Sequence, residues 1–218
     1  MKLKLLIAST VILLATGCET LNKNQTYSKE REVLPSVSID LQKDIQEKKV
    51  VDWNNAHNLE GKYLALINYL RVQKIDCGCG DVQGPTTVVT WRGPLYSAAK
   101  EHSNDMAKND IVSENGSGTE TDITAYNLAL KGGSSPKQRA ASYDYKERLI
   151  LENSVKTLAQ SVDVTDSDIV KTVESMLYDK KQCAHMMNGY VDSFAMAQST
   201  GEKNGKTYIY WTQLFGGK

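Results

Sequence analysis

The sequence predicts an α/β domain in which helices pack on a small antiparallel sheet. Three observations carry this. Apolar residues recur at helical spacing in three well-separated stretches. Two β-rich runs near the carboxy terminus flank the turn Gly201-Glu202-Lys203-Asn204-Gly205, as in a hairpin. Helices come first and then mix with strands, without the regular alternation of a parallel α/β sheet.

Asn58 can cap a first helix, because Leu59, Tyr63, Leu66, Ile67 and Leu70 follow on one face. Cys77 to Pro85 is rich in glycine and reads as loop, and Thr86 to Trp91 is β-branched and extended. Pro94 opens a second helix carrying Leu95, Ala98, Ala99, His102 and Met106. Loops at 114–120 and 134–142 flank a short helix over 122–131, stopped by Gly132-Gly133. Residues 148–157 read as a strand. Thr165 caps a third helix with Ile169, Val170, Val173, Met176 and Leu177. Residues 190–198 and 207–215 form the hairpin strands. The segment before Asn58 is polar and reads as a tether without a core of its own, Leu41 and Ile45 marking at most a short amphipathic helix.

The start of the chain is a targeting signal. Lys2 and Lys4 precede an apolar run from Leu5 to Ala15, too short for the roughly 20 residues of a bilayer span. Leu14-Ala15-Thr16-Gly17-Cys18 resembles the lipobox of bacterial lipoproteins. The resemblance implies lipid on the Cys18 thiol, cleavage after Gly17 and acylation of the new amine, which together anchor a protein stably. A plain signal peptide cut nearby, with Cys18 incidental, is the alternative. The domain plan is therefore signal peptide 1–17, lipidated cysteine and tether 18–57, and folded domain 58–218.

Charge excludes some partners. The chain carries 26 basic and 26 acidic residues, and removal of Lys2 and Lys4 leaves a small negative excess. Nothing here points to nucleic acid. The mean hydropathy of −0.43 suits a soluble domain. With Cys18 assigned to lipid, Cys77, Cys79 and Cys183 remain in a compartment where disulfides persist. One bridge from Cys183 to Cys77 or Cys79 is expected. Zinc is disfavoured there, because Cys77-Gly78-Cys79 is tighter than the usual ligand spacing.

An ordered set of short motifs resembles the cysteine-rich secretory, antigen 5 and pathogenesis-related (CAP) superfamily, in its bacterial branch. They are Asn68-Tyr69-Leu70-Arg71, then Trp91 and Leu95, then Ala98-Ala99-Lys100-Glu101-His102-Ser103-Asn104-Asp105-Met106-Ala107, Leu151-Glu152-Asn153, Cys183-Ala184-His185-Met186-Met187-Asn188, and Tyr210-Trp211-Thr212-Gln213-Leu214-Phe215-Gly216. The resemblance covers about residues 58 to 217. It implies a three-layer α-β-α sandwich with a cleft that many members line with two histidines and two acidic residues around a divalent metal.

Those positions fall here on Glu114, Glu152, Asp179 and Gln182, so both cleft histidines are replaced. Three carboxylates sharing a cleft must bind a cation, recruit basic groups or hold protons. Glu114, Glu152 and Asp179 would suit calcium or magnesium better than zinc. A polar cleft without metal is the leading reading, ahead of a hard-cation site or a cleft holding a basic substrate group. His102 reads as a packed histidine, His185 as a loop contact at a family asparagine, and His57 as part of the tether. No Ser-His-Asp arrangement can be read from the order.

Two functions follow as expectations. One is a monomeric, envelope-anchored binding module for a lipid, a small apolar ligand or an envelope component, as several family members bind sterols or lipids. The other is a metal-assisted extracytoplasmic hydrolase with Glu152 as general base. Glu19, where many inner-membrane lipoproteins carry aspartate, points to an outer membrane if the cell has two.

Overall fold

A computed structural model describes residues 39–218 apart from position 162. The signal peptide, Cys18 and the first half of the tether lie outside the described residues. The described elements run in the order α1 (Leu41–Gln46), α2 (Leu59–Arg71), β1 (Ile75–Asp76), β2 (Val82–Gln83), β3 (Thr90–Trp91), α3 (Gly93–Asn109), α4 (Ile123–Asn127), α5 (Pro136–Ser142), β4 (Leu149–Leu158), α6 (Asp166–Leu177), α7 (Lys180–Met186), β5 (Ser193–Lys203) and β6 (Lys206–Gly217).

The main sheet has the order β3-β5-β6-β4. β4, β6 and β5 are antiparallel, and β3 joins β5 in parallel over two residues only. Period-two alternation gives the sheet two apolar faces. Phe194, Met196, Ile209, Trp211 and Phe215 point to one side, where α1, α2, α6 and α7 supply Leu41, Leu66, Ile67, Leu70, Ile169, Val173 and Met186. Ala195, Ala197 and Leu214 point to the other, against Leu95, Ala98 and Ala99 of α3. The expected three layers are therefore present. Small residues on β5 let α3 approach closely: a Cβ on Gly201 would stand 2.6 Å from the Ala107 carbonyl oxygen.

Arg71, at the end of α2, is fully buried. Its Nε donates to Thr87 O, Nη1 to Met186 O, and Nη2 to Asn188 O and Val191 O. Asn68, one turn earlier, donates to Val89 O and accepts from Val89 N. These side chains take the backbone groups of residues 87–89 that a longer strand would use. That is why β3 is shorter than the sequence predicts.

The expected boundary at residue 58 needs correction. Leu41, Val50 and Trp53 are buried members of the main core, and Leu41 N donates to Glu174 of α6. Polar composition hid three apolar residues too widely spaced to read as a pattern. A disulfide joins Cys77 to Cys183, so Cys77 is the partner of Cys183 between the two candidates. It pins α7 to the loop after α2.

Candidate functional site

The residues implied by the cleft resemblance sit where α3, α5, β4 and α7 meet. α3 buries four polar side chains, Glu101, His102, Ser103 and Asp105. Glu101 accepts from Thr124 N and Oγ1, and Asp105 accepts from Ser117 N at 2.7 Å. Asp122 accepts from Ser134 N and Oγ and caps α4 through Ala125 N. These buried carboxylates fix the loops on either side of α4. Ser135 and Gln138 then form a capping box with Pro136 in the first turn, which starts α5 in a segment whose composition reads as loop.

α5 delivers Arg139, the residue that decides the site. Its guanidinium is buried and lies 2.8 Å from Glu152 Oε2. It also donates to Ser134 O, Ser134 Oγ and Glu114 O. From the other side His102 Nε2 approaches Glu152 Oε1 at 3.2 Å and Ser113 O at 2.7 Å. A carbonyl can only accept, so Nε2 carries the proton and Nδ1 is left as a buried acceptor without a partner. The side chains of His102 and Glu152 are both 0 % exposed. Burial would raise the Glu152 carboxyl, but the charge of Arg139 and the hydrogen bonds around the group outweigh it and hold the group below the ordinary carboxylate range.

The other positions are spent separately. Glu114 pairs through its carboxylate with Lys181. Asp179 caps α7, accepting from Gln182 N at 2.9 Å. Gln182 gives its carbonyl to Asn153 Nδ2, and its side-chain oxygen is buried without a partner. The three acids that were candidates for calcium or magnesium are therefore each engaged with a different partner. Arg139 brings Glu114 and Glu152 together through a carbonyl and a carboxylate, and Asp179 faces its own helix. Among the described residues no three His, Cys, Asp or Glu side chains form a metal cage.

The expectation of a cleft without imidazole is corrected too. The two family positions lack histidine, but the fold brings His102 to the Glu152 carboxylate from beneath. It also sets His185 against β4, where Nδ1 donates to Glu152 O at 3.0 Å and Asn153 Oδ1 at 2.9 Å. Asn153 Nδ2 donates elsewhere, so its oxygen is an acceptor and His185 keeps Nε2 as a free acceptor. Burial pushes the His185 ring below its usual value. His57 is exposed. With imidazoles this close, the replaced family positions no longer argue against proton transfer at Glu152; its burial does.

A family model described as "CAP: Cysteine-rich secretory protein family" matches residues 64–215, which contain Glu114, Glu152, Asp179 and Gln182. The chain belongs to the cysteine-rich secretory protein family. No curated protein matches it. Among solved structures it is similar to an outer surface protein from Borrelia burgdorferi, at 15% identity and a TM-score of 0.45, over 83% of this chain and 96% of that one. Within the CAP domain the sequence located Glu152 and the packing of His102. It missed Arg139, which nothing in the sequence sets apart from other arginines. Asp179-Lys180-Lys181-Gln182 carried a readable signal, since an aspartate three residues before an amide is an N-cap pattern.

Glu152, Asp122 and His185 imply a pH dependence of one sign, while half-buried Glu174, raised by its burial, works against it. Glu152 and Asp122 are held below the ordinary carboxylate range, Asp122 because donors from Ser134, Ala125 and Gly118 outweigh its burial. Their stabilisation is present above the unfolded values near 4 and is lost as pH falls through the lower folded values. His185, also lowered, favours the neutral form in the fold, so acidification below about 6.5 costs stability as well. Urea unfolding should show stability falling from pH 7 to pH 5 and more steeply below. His185→Asn should flatten the upper part of that curve.

Proposed function

We propose that this CAP domain is the outer part of a lipid-anchored envelope protein and works by binding rather than by hydrolysis. The observation that carries the reading is the saturation of Glu152. A general base or metal ligand needs a free lone pair facing substrate. Here one carboxylate oxygen accepts from Arg139 and the other from Ser154 Oγ with His102 Nε2 3.2 Å away, and the side chain is closed to solvent. A hydrolase using Glu152 would first have to expel Arg139, leaving two buried charges apart. Binding needs only shape and polar anchors, and cavities of about 320 and 490 Å³ elsewhere on the domain fall in the range that holds small ligands. The ligand is a lipid, a small apolar molecule or an envelope component, and the domain acts as a monomer.

The anchor is lipid on Cys18, with the outer membrane as the destination where a cell has two. No helix among the described residues is long and apolar enough to cross a membrane. Mass spectrometry of the chain extracted from membranes tests both parts. Acyl mass on Cys18 and a co-purifying small molecule are expected. A disulfide on Cys18, or empty chain under varied growth conditions together with metal binding that Glu152→Gln abolishes, would sink the reading.

A further inference from the structure

In a chain whose basic and acidic residues balance, lysines gather at the end of the sheet remote from Glu152. Lys203 and Lys206 face each other directly across the β5–β6 hairpin. A like-charge cross-strand pair costs stability, so its presence needs a reason. Asn204 and Gly205, both at positive φ, make the tight turn between them. Lys156 of β4 holds its ammonium 4.0 Å from the Tyr208 ring centroid. Lys108 of α3 lines the adjoining cavity.

The nearby acids are Glu202 and Asp110. Asp110 ends α3 in the left-handed conformation, φ 52 and ψ 44. Glycine or asparagine is favoured there, and a carboxylate opposes the helix dipole at that end. Three donors offset both costs. Lys156 Nζ and Tyr210 OH donate to Oδ1, and Lys203 Nζ lies 3.0 Å from Oδ2. Two ammonium groups and a phenol converging on one carboxylate are the donor set of an oxyanion site.

Beside this set lies a cavity of about 490 Å³ lined by Ala107, Lys108, Thr200, Gly201, Glu202 and Thr207. A second, of about 390 Å³, shares Thr207 and takes in Lys206 and Leu158. We propose that this end of the sheet binds an oxyanion, a phosphate or carboxylate group, on Lys108, Lys203 and Lys206. Asp110 is the internal carboxylate that holds Lys156 and Lys203 in place of the ligand. The site lies apart from the CAP cleft and does not depend on the reading of Glu152.

Calorimetric titration of the detergent-solubilised full chain with inorganic phosphate, and co-sedimentation of the Cys18→Ser chain, which has no acyl anchor of its own, with phosphatidylglycerol vesicles, test it. Saturable phosphate binding at low salt is expected. Lys203→Met with Lys206→Met should weaken it by about tenfold or more. That pair is exposed and self-repelling, and relief of the repulsion offsets the loss of the Lys203–Asp110 ion pair, so the variant should still fold, as thermal melting checks. Asp110→Asn, checked for folding by thermal melting, should tighten binding severalfold by removing the competing charge. Vesicle binding that depends on the same lysines, without phosphate binding, supports the site and identifies the source as a lipid headgroup. No binding of either probe overturns the proposal. So does equal weakening by the remote control Lys43→Met with Lys48→Met, or no gain from Asp110→Asn.

Discussion

Arg139→Met is expected to lower the stability of the domain by about 3–5 kcal/mol, the cost of stranding one partner of a buried ion pair. Glu152 would remain enclosed between His102 and the sheet with its main counter-charge gone, and burial would then push its carboxyl up. Ser134 O and Glu114 O would lose their donor as well. The double variant Arg139→Met, Glu152→Leu should recover much of the loss, since no charge is left unpaired. Urea denaturation of the two single variants and the double gives the coupling directly. Additive effects would mean that the pair is not the support described.

Replacing both cysteines of the Cys77–Cys183 bridge by serine is expected to cost nearly as much. The bridge spans 106 residues. Chain entropy alone assigns a loop of that length about 4–5 kcal/mol, and removal of native disulfides commonly costs about 2–5 kcal/mol. For a domain of this size that corresponds to a fall in Tm of about 10 °C or more. The damage should be local first. α7 carries His185 and Gln182 onto β4, and the bridge holds α7. Hydrogen exchange should therefore rise at residues 180–187 before it rises in α3. A uniform rise would contradict this order.

The long helices and the hairpin were legible because burial of one face forces a period on the sequence. α2, α3 and α6 begin where Asn58, Pro94 and Thr165 signal a start. α5 and α7 were not expected, although Ser135, Gln138 and Asp179 are capping residues, because each helix is too short to show a period. β5 begins at Ser193, after carbonyls that Arg71 has taken, a tertiary event with no local trace. In the site, sequence could place Glu152 and mark the replaced histidines. It could not place Arg139 or His102 on that carboxylate, since the contact joins residues 13 and 50 positions away from Glu152 through folded loops.

Arg71 has a consequence for how this fold drifts over evolution. Its four acceptors are all main-chain oxygens, so the side chains at 87, 186, 188 and 191 can change without touching the contact. A set of relatives would then display an unaccompanied arginine with no co-varying counterpart, and methods that infer proximity from correlated substitution would pass over the knot tying three distant stretches together.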